Sequence, residues 1–464
     1  MAILIRGGEI ITASERYHGD VLCEGEEIAR IAPTIRDGEL PTQTTILDAK
    51  GKLVFPGFID PHTHVYLPVS GTEANDDFAS ATRAALLGGT TCLFDFIGPA
   101  KDEAPFAALE AWESRAAQAF CDVGFHLAVT RLDEDTEPEI RSIVRDHGHR
   151  SFKVYLANYA VGIDDDTLFR TLELARELEV LTMAHCENGA LIKGLTRRLR
   201  ADGKLGPRWH YHSRPPRVEA VGTALLLAFA ELLDVDVYLV HVSCAEALDE
   251  VQRARLRGVR ASVETLAQFL LLDRQRTEVD DFEAAKHIAS PPLRDAENHA
   301  VLWNALASGA IDTLATDHAP FDFCGQKDLG ADDFSCIPNG MPGVEDRIKL
   351  LYTHGVCRGR LNLNRFVDVC STRAAKLFGL YPHKGTVQPG ADADLVVWDP
   401  RHRSIISAEH QAMKVDYNAF EGFSVEGRAE HVTVRGELAV RDGAFCGTPG
   451  RGAILRRTLS TTGG

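Results

Sequence analysis

The stretch GFIDPHTH, residues 57–64, decides the architecture. It opens as an apolar, strand-like run and ends in two histidines one residue apart, His62 and His64. Alternate residues of an extended chain share a face, so both imidazoles point the same way. Working outward, seven further apolar or alternating runs follow, at 90–96, 122–129, 151–156, 180–186, 236–243, 260–265 and 312–318. Between them lie helical segments, among them 76–87, 105–119, 164–179 and 245–258. Asp164 stands where a helix start needs an acceptor for its exposed N–H groups. Eight strands alternating with helices over roughly 260 residues is the count and length of a TIM-type (β/α)8 barrel, an α/β fold. A doubly wound open sheet would usually carry a glycine-rich phosphate loop after its first strand. Neither G-x-G-x-x-G nor a P-loop sequence occurs.

The two ends of the chain read differently. Residues 2–53 contain short alternating runs (ILIRG, DVLCEG, EIARIA), and so does the tail from 385 (DADLVVWD, HVTVRGELAVRDG). Period-two runs separated by turn residues predict small antiparallel sheets. The segment 318–343 follows the eighth strand and is rich in Gly, Pro, Asp and Phe. Loops this long without secondary structure are usually functional.

Composition narrows the function classes. With 464 residues, 45% hydrophobic and 25% charged, the chain has ample core and is not disordered. Fifty basic against 67 acidic side chains leave a net charge of −17, which disfavours nucleic acid and anionic membrane as partners. The longest apolar stretch, 221–230, is too short to span a bilayer and runs into Glu231. Arg6 and Glu9 fall where a signal peptide needs its apolar region. Ten cysteines occur singly, without a C-x-x-C pair, and predict a reducing, cytoplasmic setting.

Barrel enzymes carry their reactive groups at the C-terminal ends of strands. Here the first strand ends in His62 and His64, the fourth carries Lys153, the fifth ends at His185, the sixth near His241 and the eighth at Asp317. A lone interior histidine is commonly structural, and His-x-His by itself says little. Four histidines, a lysine and a carboxylate at five strand ends are a different matter, because they meet at one mouth. Lys153 lies between Phe152 and Val154, so its ammonium faces the barrel interior at a cost unless paired or neutralised. Two readings remain open from chemistry alone. It pairs with a carboxylate such as Asp317, or its neutral amine takes up CO2 and becomes a carbamate able to bridge two cations. Asp317, in ATDHAPF, is either a turn residue or a metal ligand that shuttles a proton. No G-x-S-x-G elbow is present, and Cys186 and Cys244 read as small core residues.

These residues sit in motifs that resemble one family. GFIDPHTH (57–64), GGTT (88–91), SFKVYLA (151–157), AHCENG (184–189), RPP (214–216) and VHVS (240–243) match it. So do SPPLR (290–294), ATDHAPF (315–321), IPNGMPGVEDR (337–347) and KGTVQPGADADLVVWD (384–399). The chain is similar, nearly end to end, to the dihydropyrimidinase and D-hydantoinase group of the amidohydrolase superfamily. The resemblance implies a barrel of residues 54–384 beside a small β-sandwich built from 1–53 and 385–464. It implies two divalent metal ions, with zinc as the first expectation. His62, His64 and Asp317 would hold one and His185 and His241 the other, with carboxylated Lys153 bridging both. Activated water would attack the ring carbonyl, Asp317 would carry the proton to the departing nitrogen, and Tyr155 would hydrogen-bond the oxyanion. Ser290 and Asn339 would hold the cyclic amide through main-chain groups. A homotetramer is implied as well.

One departure bears on the substrate. The group commonly shows aspartate two residues beyond the second histidine, and dihydroorotase-like relatives an arginine that clamps a carboxylate. Here it is Tyr66, which by period two should look toward the substrate entrance. A neutral ring is therefore expected: a dihydropyrimidine or a 5-substituted hydantoin, opened to an N-carbamoyl amino acid. The loop 67–70 and the turn Asn158–Tyr159 also differ from the common pattern and are expected near the ring substituent. Two other readings compete: an allantoinase-type ureide hydrolase, and a non-catalytic scaffold, which would have lost its ligand residues.

Overall fold

The computed structural model describes residues 2–157 and 160–457, so the Asn158–Tyr159 turn lies outside the described residues. Eight parallel strands form a barrel in chain order: Phe58–Asp60, Thr90–Ile97, Asp122–Ala128, Ser151–Tyr155, Leu181–His185, Val237–Leu239, Ala261–Leu266 and Thr313–Ala315. The ring closes beyond the last ladder, where Asp317 N donates to His62 O at 2.9 Å and His64 N to His318 O at 2.8 Å. Strands covered on both faces bury every residue, as Thr90–Ile97 and Asp122–Ala128 do, which is why they read as mainly apolar runs without an alternating solvent face. Several strands are shorter than their apolar runs, because the chain leaves the ladder before the polar residue at the mouth. The run 236–243 is extended only over Val237–Leu239, and 312–318 only over Thr313–Ala315.

The helices begin where local chemistry places them. Asp164 accepts from Thr167 N at 2.9 Å ahead of Asp165–Leu178, Asp77 and Ser80 form a capping box on Phe78–Leu87, and Pro105 opens Pro105–Ala116. Ala245–Leu256 completes the expected set.

Both termini enter a second, nine-stranded sheet. Its hydrogen-bonded path runs Ala444–Phe445, Glu437–Arg441, Ser424–Val434, Leu395–Ile405, Leu53–Pro56, Ala2–Ile11, Arg16–Glu24 and Glu27–Ala32, with Thr45–Asp48 beside Ala2–Ile11. The sheet is mixed rather than wholly antiparallel, since Ala2–Ile11 pairs in parallel with Thr45–Asp48 and Leu53–Pro56. Ile3, Ile5, Ile10, Val21, Val54 and Val397 share its core. Gly57 hands the chain straight from this sheet to the barrel; a Cβ there would lie 2.0 Å from Thr91 Oγ1.

Two buried basic side chains lock the site's supports together. Arg347 donates to Ile59 O at 2.8 Å, Leu314 O at 2.7 Å and Thr90 Oγ1 at 3.1 Å, tying the first, eighth and second strands. The segment 318–343 contains only two short 3-10 turns, Lys327–Gly330 and Phe334–Cys336. Lys327 Nζ anchors it by donating to Ile288 O at 3.1 Å, Pro338 O at 2.9 Å and Gly340 O at 2.7 Å.

Candidate active site

The barrel brings the strand-end residues to one mouth. His62 Nε2 and His64 Nε2 lie 3.2 Å apart, and Asp317 Oδ1 is 3.2 Å from the first and 3.0 Å from the second. Two imidazole nitrogens and a carboxylate oxygen meeting at one point suit a divalent cation. His185 Nδ1 and His241 Nε2 form a second pair at 3.0 Å. His241 and Asp317 have φ of 41° and 52°, left-handed conformations that non-glycine residues adopt at some cost and that concentrate at functional sites.

Lys153 is fully buried on the fourth strand, and its Nζ has no hydrogen-bond partner. The amine sits 4.8 Å from the Phe96 ring centroid and 5.1 Å from that of Tyr155. Burial brings it down to about 8, against the pull of the Asp317 and Glu264 charges. Among the described residues, then, the one ionisable amine at this mouth lacks a bonded partner and is easily neutralised. Burial also pushes His64 down to about 4. For Asp317 burial acts upward, but His62 and His64 outweigh it and hold the carboxylate well below its usual range.

Tyr155 closes the same strand two residues beyond Lys153, with its ring centroid 6.2 Å from that of His185. Ser290 and Asn339 come from distant segments and meet directly, Asn339 Nδ2 donating to Ser290 Oγ at 3.0 Å. Tyr66 does not continue the strand. The first strand ends at Asp60 before Pro61, so period two does not extend to residue 66. Tyr66 occupies a turn with φ 59°, its ring beneath the Arg115 guanidinium at 4.6 Å and 6.0 Å from Phe78. The hairpin that follows packs Leu67 and Val69 against Ala74, Ala319 and Phe321.

Sequence reasoning missed the residues behind the histidines. Glu264, buried on the seventh strand, accepts from His62 Nδ1 at 2.7 Å and His241 N at 2.9 Å. Glu187 accepts from His185 Nε2 at 2.9 Å and pairs with Arg214. Both glutamates were visible as charges next to apolar strand positions, and Glu187 and Arg214 lie in the AHCENG and RPP motifs. No periodicity assigns them partners.

Similarity to known proteins runs along nearly the whole chain. The amidohydrolase family model matches residues 53–439. D-hydantoinase of Geobacillus stearothermophilus is 45% identical over 459 residues, 98% of this chain and 97% of that one. Dihydropyrimidinase of Rattus norvegicus is 36% identical, covering 98% and 88%. Among solved structures, the D-hydantoinase (dihydropyrimidinase) from Thermus sp. superposes with a TM-score of 0.96 at 50% identity, covering 98% of this chain and 99% of that one. The chain belongs to the amidohydrolase family. Within that family it falls in the D-hydantoinase and dihydropyrimidinase group of cyclic amidohydrolases.

Proposed function

We propose that the protein hydrolyses the cyclic amide bond of dihydropyrimidines or 5-substituted hydantoins to give N-carbamoyl amino acids. The observation that carries this is the convergence of His62, His64 and Asp317 with His185 and His241 beside the unpartnered amine of Lys153. The full-length relatives named for hydantoinase and dihydropyrimidinase activity support the substrate class and do not favour the allantoinase reading.

His62, His64 and Asp317 would hold one divalent ion, and His185 and His241 the other. The imidazole and carboxylate donors suit zinc. Lys153 would bridge the two after its neutral amine adds CO2 and loses a proton, leaving a carbamate with two donor oxygens. When bound, the ions supply Lewis acidity and bring the pKa of water toward about 7. Asp317, ionised at neutral pH and in contact with both histidines, would accept a proton from the nucleophile and return it to the leaving ring nitrogen. Tyr155 keeps its phenolic proton, because burial pushes its pKa up, and can donate to the carbonyl oxygen as charge develops. Main-chain groups at Ser290 and Asn339 would hold the ring amide.

We take the barrel as residues 54–384 and the sheet domain as 1–53 with 385–464; pairing of Leu53–Pro56 with Ala2–Ile11 and Leu395–Ile405 favours moving the first boundary on to Gly57. A cytoplasmic homotetramer acting on small molecules completes the reading. Ten unpaired cysteines are consistent with a reducing compartment, and no helix among the described residues is long and apolar enough to cross a membrane.

The test compares kcat/KM of metal-replete protein for dihydrouracil, hydantoin, a 5-aryl hydantoin, allantoin and dihydroorotate. Preference for dihydrouracil or a hydantoin is expected. Preference for allantoin or dihydroorotate would overturn the substrate assignment.

A further inference from the structure

Glu264 stands between the two halves of the site. Its side chain is fully buried, and each oxygen is committed. Oε1 accepts from His62 Nδ1 at 2.7 Å and from the backbone N–H of His241 at 2.9 Å. Oε2 accepts from Tyr238 OH at 2.8 Å, and that hydroxyl lies 2.6 Å from Thr313 Oγ1. The seventh strand thus supplies a carboxylate braced by the sixth and eighth strands, and one oxygen reaches a residue of each histidine pair.

We propose that Glu264 is a positioning residue that sets the two metal-binding halves together, so that retention of both ions depends on this one carboxylate. The proposal rests on the two-ion reading above. By holding His62 Nδ1–H, Glu264 leaves the Nε2 lone pair facing His64 and Asp317, the general role of a carboxylate behind a metal-binding histidine. By holding the N–H of His241, it stabilises a residue whose φ of 41° the chain would otherwise tend to relax. Relaxation there would carry the imbedded imidazole away from His185. Glu187 differs in kind: its bonds reach His185 and Arg214 and neither His62 nor His64.

The test measures metal per chain and the rate of loss of each ion to a chelator, in wild type, Glu264→Leu, Glu264→Gln and Glu187→Gln zinc-loaded protein. Wild type should hold two ions; fewer would remove the two-ion reading itself, and this proposal with it. With two ions in wild type, Glu264→Leu should release both faster by a similar factor, on the order of 10–100-fold. Glu264→Gln keeps an oxygen acceptor of the same reach and should fall between Leu and wild type, again for both ions. Glu187→Gln should speed release of one ion only. Wild-type release from Glu264→Leu, or faster loss of one ion alone, would overturn the proposal. If Glu264→Leu does not fold, Glu264→Gln decides: unchanged release, or a change confined to one ion, would equally overturn it.

Discussion

Asn339 donates its side-chain amide to Ser290 Oγ at 3.0 Å, joining two segments separated by 49 residues of chain. Behind them Lys327 binds the carbonyls of Ile288, Pro338 and Gly340, which flank both residues. The side-chain bond is partly exposed, whereas the lysine is buried and holds the backbone that is proposed to grip the ring. Gly340 has φ 149° and no room for a Cβ, which would fall 2.5 Å from that of Ala319. Ser290→Ala should therefore change kcat/KM by no more than about threefold, in keeping with a neutral hydrogen bond near the surface. Lys327→Met leaves three carbonyls without their donor and should cost at least about tenfold in kcat/KM, mostly through KM, together with a lower unfolding midpoint. Steady-state kinetics and thermal unfolding of both variants check the contrast.

Lys153 should govern metal uptake in a pH-dependent way. Carbamate formation needs the neutral amine, whose fraction rises as pH climbs through about 8, the value to which burial brings this lysine. Zinc uptake by chelator-stripped protein should accelerate when dissolved CO2 is supplied at a fixed concentration, and more at pH 8.5 than at pH 6.5. Lys153→Ala should keep less than about one-hundredth of wild-type kcat/KM and lose the CO2 effect. Full activity with a full metal complement in that variant would exclude a bridging carbamate.

Much of this architecture was legible because burial on both faces leaves a plain mark. Thr90–Ile97 and Asp122–Ala128 are buried throughout and mainly apolar for that reason, with Asp95 and His126 among the buried polar exceptions. Helix starts were legible where a local acceptor does the work, as at Asp164. What escaped depends on contacts distant in sequence. Nothing near Glu264 indicates that it meets His62, 202 residues away. Tyr66 escaped for another reason: an extended chain was carried five residues past Pro61, although the strand ends at Asp60. The parallel pairing of Ala2–Ile11 with Thr45–Asp48 is likewise invisible to a period of two, which is the same for either direction.

His210 should make the fold sensitive to moderate acid. It is buried, neither ring nitrogen has a hydrogen-bond partner, and burial pushes it down to about 3. The folded value lies below the ordinary 6.5, so the unfolded chain takes up the proton first as pH falls. Stability is then lost from about pH 6.5 downward until the folded imidazole itself protonates near pH 3. The expected loss from this residue is on the order of 3 kcal/mol by pH 4. His210→Phe retains an aromatic ring beside Phe334, whose centroid lies 6.5 Å away, and should flatten that part of the profile. Denaturant unfolding at pH 7 and pH 4.5 measures the difference; an equal acid loss in both proteins would contradict the assignment.

Lys384 should prove to be a cation standing in a carboxylate cage that could hold another. Its Nζ is 2.7 Å from Asp122, 2.9 Å from Asp392 and 2.6 Å from Asp394, linking the third barrel strand to the chain that enters the second sheet. The oxygens of those three aspartates lie within 4.8 Å of one another, a spacing that suits a divalent ion. Removing the ammonium leaves these like charges opposed, among the described residues, by Arg435, 3.2 Å from Asp122. Lys384→Ala should be destabilised by about 3–5 kcal/mol, as expected when one partner of a buried ionic cluster is lost. Millimolar calcium or manganese, hard ions that favour carboxylate oxygen, should restore part of the loss in the variant and leave wild type unmoved. Thermal unfolding with and without the ion reads both effects. Equal responses of wild type and variant would mean the ion acts elsewhere, and the cage has no affinity once its lysine is gone.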